Sequence, residues 1–326
     1  MKSRSLLPIL ILALVLCASA LFAVEPAPNQ SVPDYLQQIS VTIKAGDAQG
    51  SGTIVTRKVG DDTVSFVWTA AHVVDNLRVV RKIITADGGT RVLIEFRDAQ
   101  IVQEFQQKGR RVGETKLEAK VIKFSDADFG EDLALLMVRR LNAYPLGVSG
   151  KFITDRNYVP AIGVELSHCG SLLGQFGANS YTTGVLSQVG RTLEMKGANV
   201  KVFDQVTAVA FPGSSGGGMY LKANGEYVGM LTQGVMKLQG FNFIVPVRRI
   251  HAWAADAKIE WAVDPNSPMP SLKEIEKMPV EDQGVLPSGL PASDRAAPAK
   301  GGFAFDGVRN WVEHFGRYHF LGCVTR

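Results

Sequence analysis

The sequence predicts an all-β fold, built as a barrel or a sandwich. Three observations point there. Short apolar runs recur along most of the chain, turn-forming clusters separate them, and only one stretch has clear helical periodicity.

The first series of apolar runs covers residues 40–43, 52–56, 64–68, 91–96, 117–124 and 133–138. Gly-Asp, Asp-Gly-Gly and Ser-Asp-Ala-Asp segments punctuate them, as expected of strands joined by turns. A second series covers 159–164, 181–189, 201–210, 217–221, 227–232 and 241–245. Ala223-Asn224-Gly225 stands between two of these runs, and Asn-Gly is a strong hairpin signal. The predicted helix spans 247–258. Val247, Ile250, Trp253 and Ala254 recur at helical spacing, so one face can pack on the preceding strands. His251 on this helix reads as a surface or packing residue.

The ends differ from the middle. Lys2 and Arg4 precede an apolar run over 6–16, followed by Ala18-Ser19-Ala20. This is the pattern of a secretory signal, cleaved after Ala20 or Ala23; the alternative is an uncleaved membrane anchor. Either places the rest of the chain outside the cytoplasm, in the periplasm or secreted, or held at the membrane. Residues 1–23 are therefore set apart as signal or anchor and 24–34 as a polar leader. From 259 to 302 prolines interrupt any regular pattern, which reads as a linker. Residues 303–326 are aromatic again (Phe303, Phe305, Trp311, Phe315, Tyr318, Phe320) and suggest a short docking segment on the barrel or a partner.

Composition narrows the function. With 326 residues, 46% hydrophobic and 20% charged, the chain can bury a substantial core and is not wholly disordered. Of 35 basic residues, Lys2 and Arg4 lie in the N-terminal segment, which leaves near balance against 31 acidic ones. That balance speaks against a nucleic-acid partner. Without Cys17 in that segment, Cys169 and Cys323 remain, and export would permit a disulfide between them; two free thiols is an equal alternative. His314, His319 and Cys323 match no zinc spacing and are taken as tail residues, so no metal and no organic cofactor is expected.

Three motifs carry chemistry. Gly213-Ser214-Ser215-Gly216-Gly217 places serine hydroxyls among residues with almost no side chain. A serine nucleophile needs such exposure, with backbone N–H groups free to meet an oxyanion. Ser215 is preferred because Gly213 stands two before it and Gly216 just after. The N–H groups of Gly213 and Ser215 are the candidate oxyanion hole. His72 follows Thr69-Ala70-Ala71, and its neutral imidazole can take a serine proton. Asp132 abuts the apolar run Leu133-Ala134-Leu135-Leu136, where a carboxylate can orient a histidine. A bland reading of each motif is available: a structural histidine, a charged turn, a glycine-rich turn. Their joint occurrence argues against all three. The serine motif also satisfies Gly-x-Ser-x-Gly, but that elbow should lead into a helix, and Gly216-Gly217-Gly218 starts one poorly. The order His, Asp, Ser is that of the chymotrypsin group.

The chain resembles the trypsin-like peptidases and, among them, the HtrA/Deg-like bacterial branch. The matching pieces are Gly50-Ser51-Gly52-Thr53-Ile54-Val55, Thr69-Ala70-Ala71-His72-Val73-Val74, Asp132-Leu133-Ala134-Leu135-Leu136, Tyr181-Thr182-Thr183-Gly184-Val185-Leu186-Ser187, the Ser215 motif and Phe243-Ile244-Val245-Pro246. The resemblance implies two Greek-key six-stranded β-barrels, about 35–145 and 155–246, in a protease domain over 35–258. It implies a His72-Asp132-Ser215 triad in the cleft between them. It implies protein or peptide substrates and allows a homo-oligomer. Val209, with Ala210 beside it, takes the place where trypsin-type enzymes hold an acid, so small or medium apolar residues are expected before the scissile bond. Ser214 stands where the digestive enzymes keep an activating Asp, so their amine-burial switch is not available. The tail is too short for the PDZ domain that many branch members carry. The long stretch from His72 to Asp132 implies enlarged loops in the first barrel. A second expectation is a binding or scaffold protein on a catalytically silent protease fold.

Overall fold

A computed structural model describes residues 30–84, 88–107, 109–195, 200–234 and 240–280. The expected signal segment, most of the leader, the tail from 281 on, Cys323, His314 and His319 lie outside the described residues. Among the described residues no helix is long and apolar enough to cross a membrane.

Six strands close the first barrel: β1 (Ser40–Ala45), β2 (Ala48–Val59), β3 (Asp62–Thr69), β6 (Ala99–Gln107), β7 (Arg110–Ser125) and β8 (Leu133–Val138), ordered β1-β2-β3-β8-β7-β6. All neighbouring pairs are antiparallel. Every residue of β8 is buried, which explains its unbroken apolar run. Between β3 and β6 a separate hairpin of β4 (Arg78–Ile84) and β5 (Thr90–Phe96) takes up much of the long connection from His72.

The second sheet contains β9 (Lys151–Phe152), β10 (Glu165–Leu172), β11 (Gly177–Glu194), β12 (Val200–Val206), β13 (Gly218–Leu221), β14 (Glu226–Gly234) and β15 (Asn242–Pro246). Its order is β13-β10-β11-β12-β15-β14-β9, and a further β13–β14 pairing closes six of the strands into a ring. The short β9 is an addition, parallel to β14. Leu166, Leu186, Val206, Met219, Val228 and Ile244 fill this half. The expected all-β, two-barrel class is therefore what the chain adopts.

Several elements differ from the sequence expectation. No strand forms over 159–164, where Pro160 and Gly163, at φ +86°, interrupt the backbone. The strand is β10 instead. It buries Ser167, His168 and Ser171 along with Leu166 and Cys169, so both its faces are covered although no apolar run marks it. The end of the expected leader is helical as α1 (Val32–Ile39): Ser31 caps it by accepting from the Asp34 N–H, and Pro33 suits the first turn. Tyr35 pins α1 down, its hydroxyl donating to the Ser149 carbonyl at 2.9 Å and accepting from the Lys151 N–H at 3.0 Å. The expected helix at 247–258 is α3 (Val247–Asp256). His251 on it is buried, with Nε2 2.7 Å from the Ile153 carbonyl, so it packs rather than reacts.

The protease domain was expected to end at 258, with a linker beyond. The structure corrects this up to Val280. Trp261, Ala262 and Val263 are buried, and Trp261 lies 4.7 Å, centroid to centroid, from Phe66 of β3. The Ala262 carbonyl accepts from Trp68 Nε1 at 3.0 Å, and the Trp261 carbonyl from Arg57 at 2.8 Å. Helix α4 (Leu272–Lys277) follows, with a complete Ser271/Glu274 capping box and Ile275 buried. The Val280 carbonyl then accepts from the Phe124 N–H of β7. The prolines punctuate this segment without preventing it from covering the first barrel. Trp261→Ala should therefore destabilise the protein by about 3–5 kcal/mol, the usual cost of truncating a buried tryptophan. Chemical denaturation measures it; a cost under about 1 kcal/mol would show the segment to be dispensable.

Candidate active site

His72 begins the second residue of α2 (Ala71–Val74), a single turn directly after β3. Ala70 and Ala71 are fully buried where the turn packs against the barrel. The ring Nδ1 of His72 lies 3.0 Å from both carboxylate oxygens of Asp132, and the His72 backbone N–H donates to Asp132 Oδ1 at 3.1 Å. Burial alone would lower the His72 pKa. The Asp132 charge and hydrogen bond, with the Asp75 charge, outweigh it and hold the pKa above the ordinary imidazole value. Burial would raise the Asp132 carboxyl, but His72 and the bond from Thr232 hold it below the usual carboxylate range.

Asp132 sits in the turn between β7 and β8. Its φ of +57° is in the left-handed region, uncommon for a residue with a side chain. The turn is fixed by Asp126, whose carboxylate accepts from the N–H groups of Asp128 and Phe129 and whose carbonyl accepts from those of Gly130 and Asp132. The Ser125 hydroxyl accepts from the Glu131 N–H.

Ser215 lies in the turn that precedes β13. Its hydroxyl donates to the Thr232 carbonyl at 3.1 Å, and the Thr232 hydroxyl donates to Asp132 Oδ2. Thr232, on β14, thus joins the serine to the carboxylate. The sequence reading missed it, because a threonine at the end of an apolar strand looks like any other strand residue.

Ser51 on β2 was also missed as an individual residue, although its motif was noticed. Its N–H donates to the Ser215 carbonyl at 2.8 Å, and its hydroxyl donates to the Gly213 carbonyl and accepts from the Ser171 N–H, both at 2.7 Å. One barrel therefore holds the serine loop of the other. His168 lies beneath the same loop, with Nδ1 2.9 Å from the Gly218 carbonyl and its other ring nitrogen buried without a partner among the described residues. Burial pushes its pKa down to about 4, which keeps the ring neutral.

The loop itself closes on Ser214, which is buried. Its Oγ accepts from the Phe211 N–H at 3.1 Å, and its own N–H donates to the Phe211 carbonyl at 2.9 Å. The Pro212 carbonyl accepts from the Leu173 N–H and the Ser214 carbonyl from the Gly217 N–H. A trans peptide points its C=O and N–H in opposite directions. The N–H groups of Gly213 and Ser215 consequently face away from those two bonds. Gly213 needs to be glycine here: φ is +94°, and a Cβ would sit 2.4 Å from the Gly174 nitrogen and the Ser171 oxygen.

Val209 and Ala210 are half-buried, and Ala210 packs on the second core. Thr182 Oγ1 donates to the Val209 carbonyl, and Asn242 Nδ2 to that of Ala208, so this stretch is held by its backbone. Cys169 is a free, fully buried thiol whose pKa burial pushes up to about 12; Cys323, its candidate partner, lies outside the described residues.

The chain is similar to several solved structures. The inactive form of Rv3671c from M. tuberculosis H37Rv is 17% identical, covering 76% of this chain and 98% of that one, with a TM-score of 0.47. Deg5 is 21% identical over 72% of this chain and 94% of that one, TM-score 0.48. The serine endoprotease from Yersinia pestis is 19% identical over 73% and 68%, TM-score 0.45. No curated protein matches the chain. The model of the trypsin-like peptidase domain matches residues 50–230, more than half of the sequence. By that match the protein belongs to the trypsin-like peptidase family and is a serine endopeptidase.

Proposed function

We propose that the protein is an exported serine endopeptidase of the HtrA/Deg-like kind, in which His72, Asp132 and Ser215 form the catalytic triad. The observation that carries the assignment is the connected set His72–Asp132–Thr232–Ser215, which spans both barrels. Asp132 fixes His72 with Nδ1 protonated and stabilises the imidazolium that forms. In the resting arrangement the Ser215 hydroxyl donates to the Thr232 carbonyl. On substrate binding it turns to Nε2 of His72, which removes its proton as Ser215 Oγ attacks the peptide carbonyl. The N–H groups of Gly213 and Ser215 receive the oxyanion. The imidazolium then protonates the leaving amine, and water, deprotonated by His72, releases the acyl group.

Export rests on Lys2, Arg4, the apolar run and Ala18-Ser19-Ala20. Substrate preference rests on the run Thr207-Ala208-Val209-Ala210-Phe211, which contains no charge to pair with lysine or arginine. A peptide library varied at the residue before the scissile bond should be cut after small or medium apolar side chains. A preference for basic residues would overturn this assignment of Val209 and Ala210 to the specificity pocket.

A further inference from the structure

The residue before Asp132 makes contacts that the chemistry above does not use. Both oxygens of the Glu131 carboxylate are occupied, Oε1 by Lys201 Nζ and Oε2 by Arg249 Nε at 2.9 Å and Nη2 at 2.5 Å. Nη2 of Arg249 also donates to the Glu131 carbonyl at 3.4 Å. Lys201 is on β12 and Arg249 on α3, both in the second half of the molecule, while Glu131 belongs to the β7–β8 turn of the first.

The cluster is well enclosed. Side-chain exposure is 13% for Arg249, 18% for Lys201 and 27% for Glu131. Burial would raise the Glu131 carboxyl, and the Arg249 charge with the Lys201 hydrogen bond holds it lower, so it stays ionised. The guanidinium is itself fixed: Nη1 donates to the Val202 carbonyl at 2.9 Å, and the group lies 4.9 Å from the centre of the Phe203 ring. One residue earlier on α3, Arg248 makes a two-pronged pair with Asp204, which is 1% exposed on its side chain. Helix α3 is thus locked to β12 before Arg249 reaches across. A rigid fork grips a carboxylate in one orientation, which a lone ammonium does not.

The grip falls beside a strained residue. Asp132 holds φ +57°, a conformation that persists in a side-chain-bearing residue only when its surroundings impose it. We propose that Arg249, with Lys201, is a positioning group for the active site: by clamping Glu131 from the second barrel it holds Asp132 in the backbone conformation that bonds His72. The inference rests on Asp132 being the orienting acid.

Arg249→Ala should lower kcat by about 10²-fold, the scale of a small misplacement in an active site, and leave KM within a few-fold. The far-downfield proton resonance of the His72 Nδ1–H bond should weaken or vanish, and Arg249→Lys should restore part of both. A purely structural clamp would change the melting temperature and leave kcat and the resonance, measured well below melting, as in the wild type; that result overturns the proposal. If Arg249→Ala does not fold, Glu131→Gln decides: a reduced kcat with a weakened resonance supports the clamp, and wild-type values overturn it. Failure of the triad reading is distinguishable, because Asp132→Asn would then leave kcat intact.

Discussion

Ser215→Ala should reduce kcat for peptide hydrolysis by about 10⁶-fold, the scale seen when a triad serine is removed. The substitution removes one oxygen, whose one hydrogen bond among the described residues is the 3.1 Å donation to the Thr232 carbonyl. The Ser215 backbone continues to accept from Ser51, and the Gly216 N–H continues to donate to Leu231, so the loop should keep its shape. Stability should change by less than about 1 kcal/mol, because a single half-exposed hydroxyl bond is lost. KM should stay near the wild-type value. Steady-state kinetics on a peptide substrate with a parallel melting curve measure both. Retained turnover would remove Ser215 from the chemistry.

Asp132→Asn should lower kcat by about 10⁴-fold while the fold stays intact, through loss of the tautomer that the carboxylate imposes. The effect has a pH signature. His72 must be neutral to accept the serine proton, so activity should fall as pH drops through its pKa in the folded protein. In the wild type that pKa is held above the ordinary value of about 6.5, because the Asp132 and Asp75 charges outweigh burial. Without the Asp132 charge, burial dominates and pushes the His72 pKa down. The acid limb of kcat/KM should therefore lie at higher pH in the wild type than in the variant. A kcat within tenfold of the wild type, or an acid limb that does not move down, would contradict the role given to Asp132.

Much of the fold was legible because its signals were local. Leu133-Ala134-Leu135-Leu136 read as a buried strand, and β8 is buried at every position. The periodicity of Val247, Ile250, Trp253 and Ala254 found α3 within two residues of its end. The proposed site residues left a trace in the sequence for a chemical reason. A nucleophilic serine needs small neighbours, and small neighbours leave a sequence trace. His72 and Asp132 were then placed by their positions at the ends of apolar strands, and the structure brings them to 3.0 Å.

The misses share a physical cause, since they depend on partners distant in sequence. Ser167, His168 and Ser171 are polar yet buried, so β10 carried no apolar pattern to read. Thr232 gains its meaning only from Asp132, a hundred residues earlier. Glu131 looked like part of a charged turn until Arg249 and Lys201 closed on it. Over 259–280 the prolines outweigh Trp261 in the sequence and suggest a linker, although the Ser271/Glu274 capping pattern is there as well.

The central claim is that Ser215 is an activated nucleophile, and a fluorophosphonate probe tests it most directly. The account predicts one covalent adduct on the native protein, located by peptide mass at Ser215 and absent from Ser215→Ala. An adduct on another serine, or no labelling that depends on Ser215, would contradict it and favour a silent protease fold.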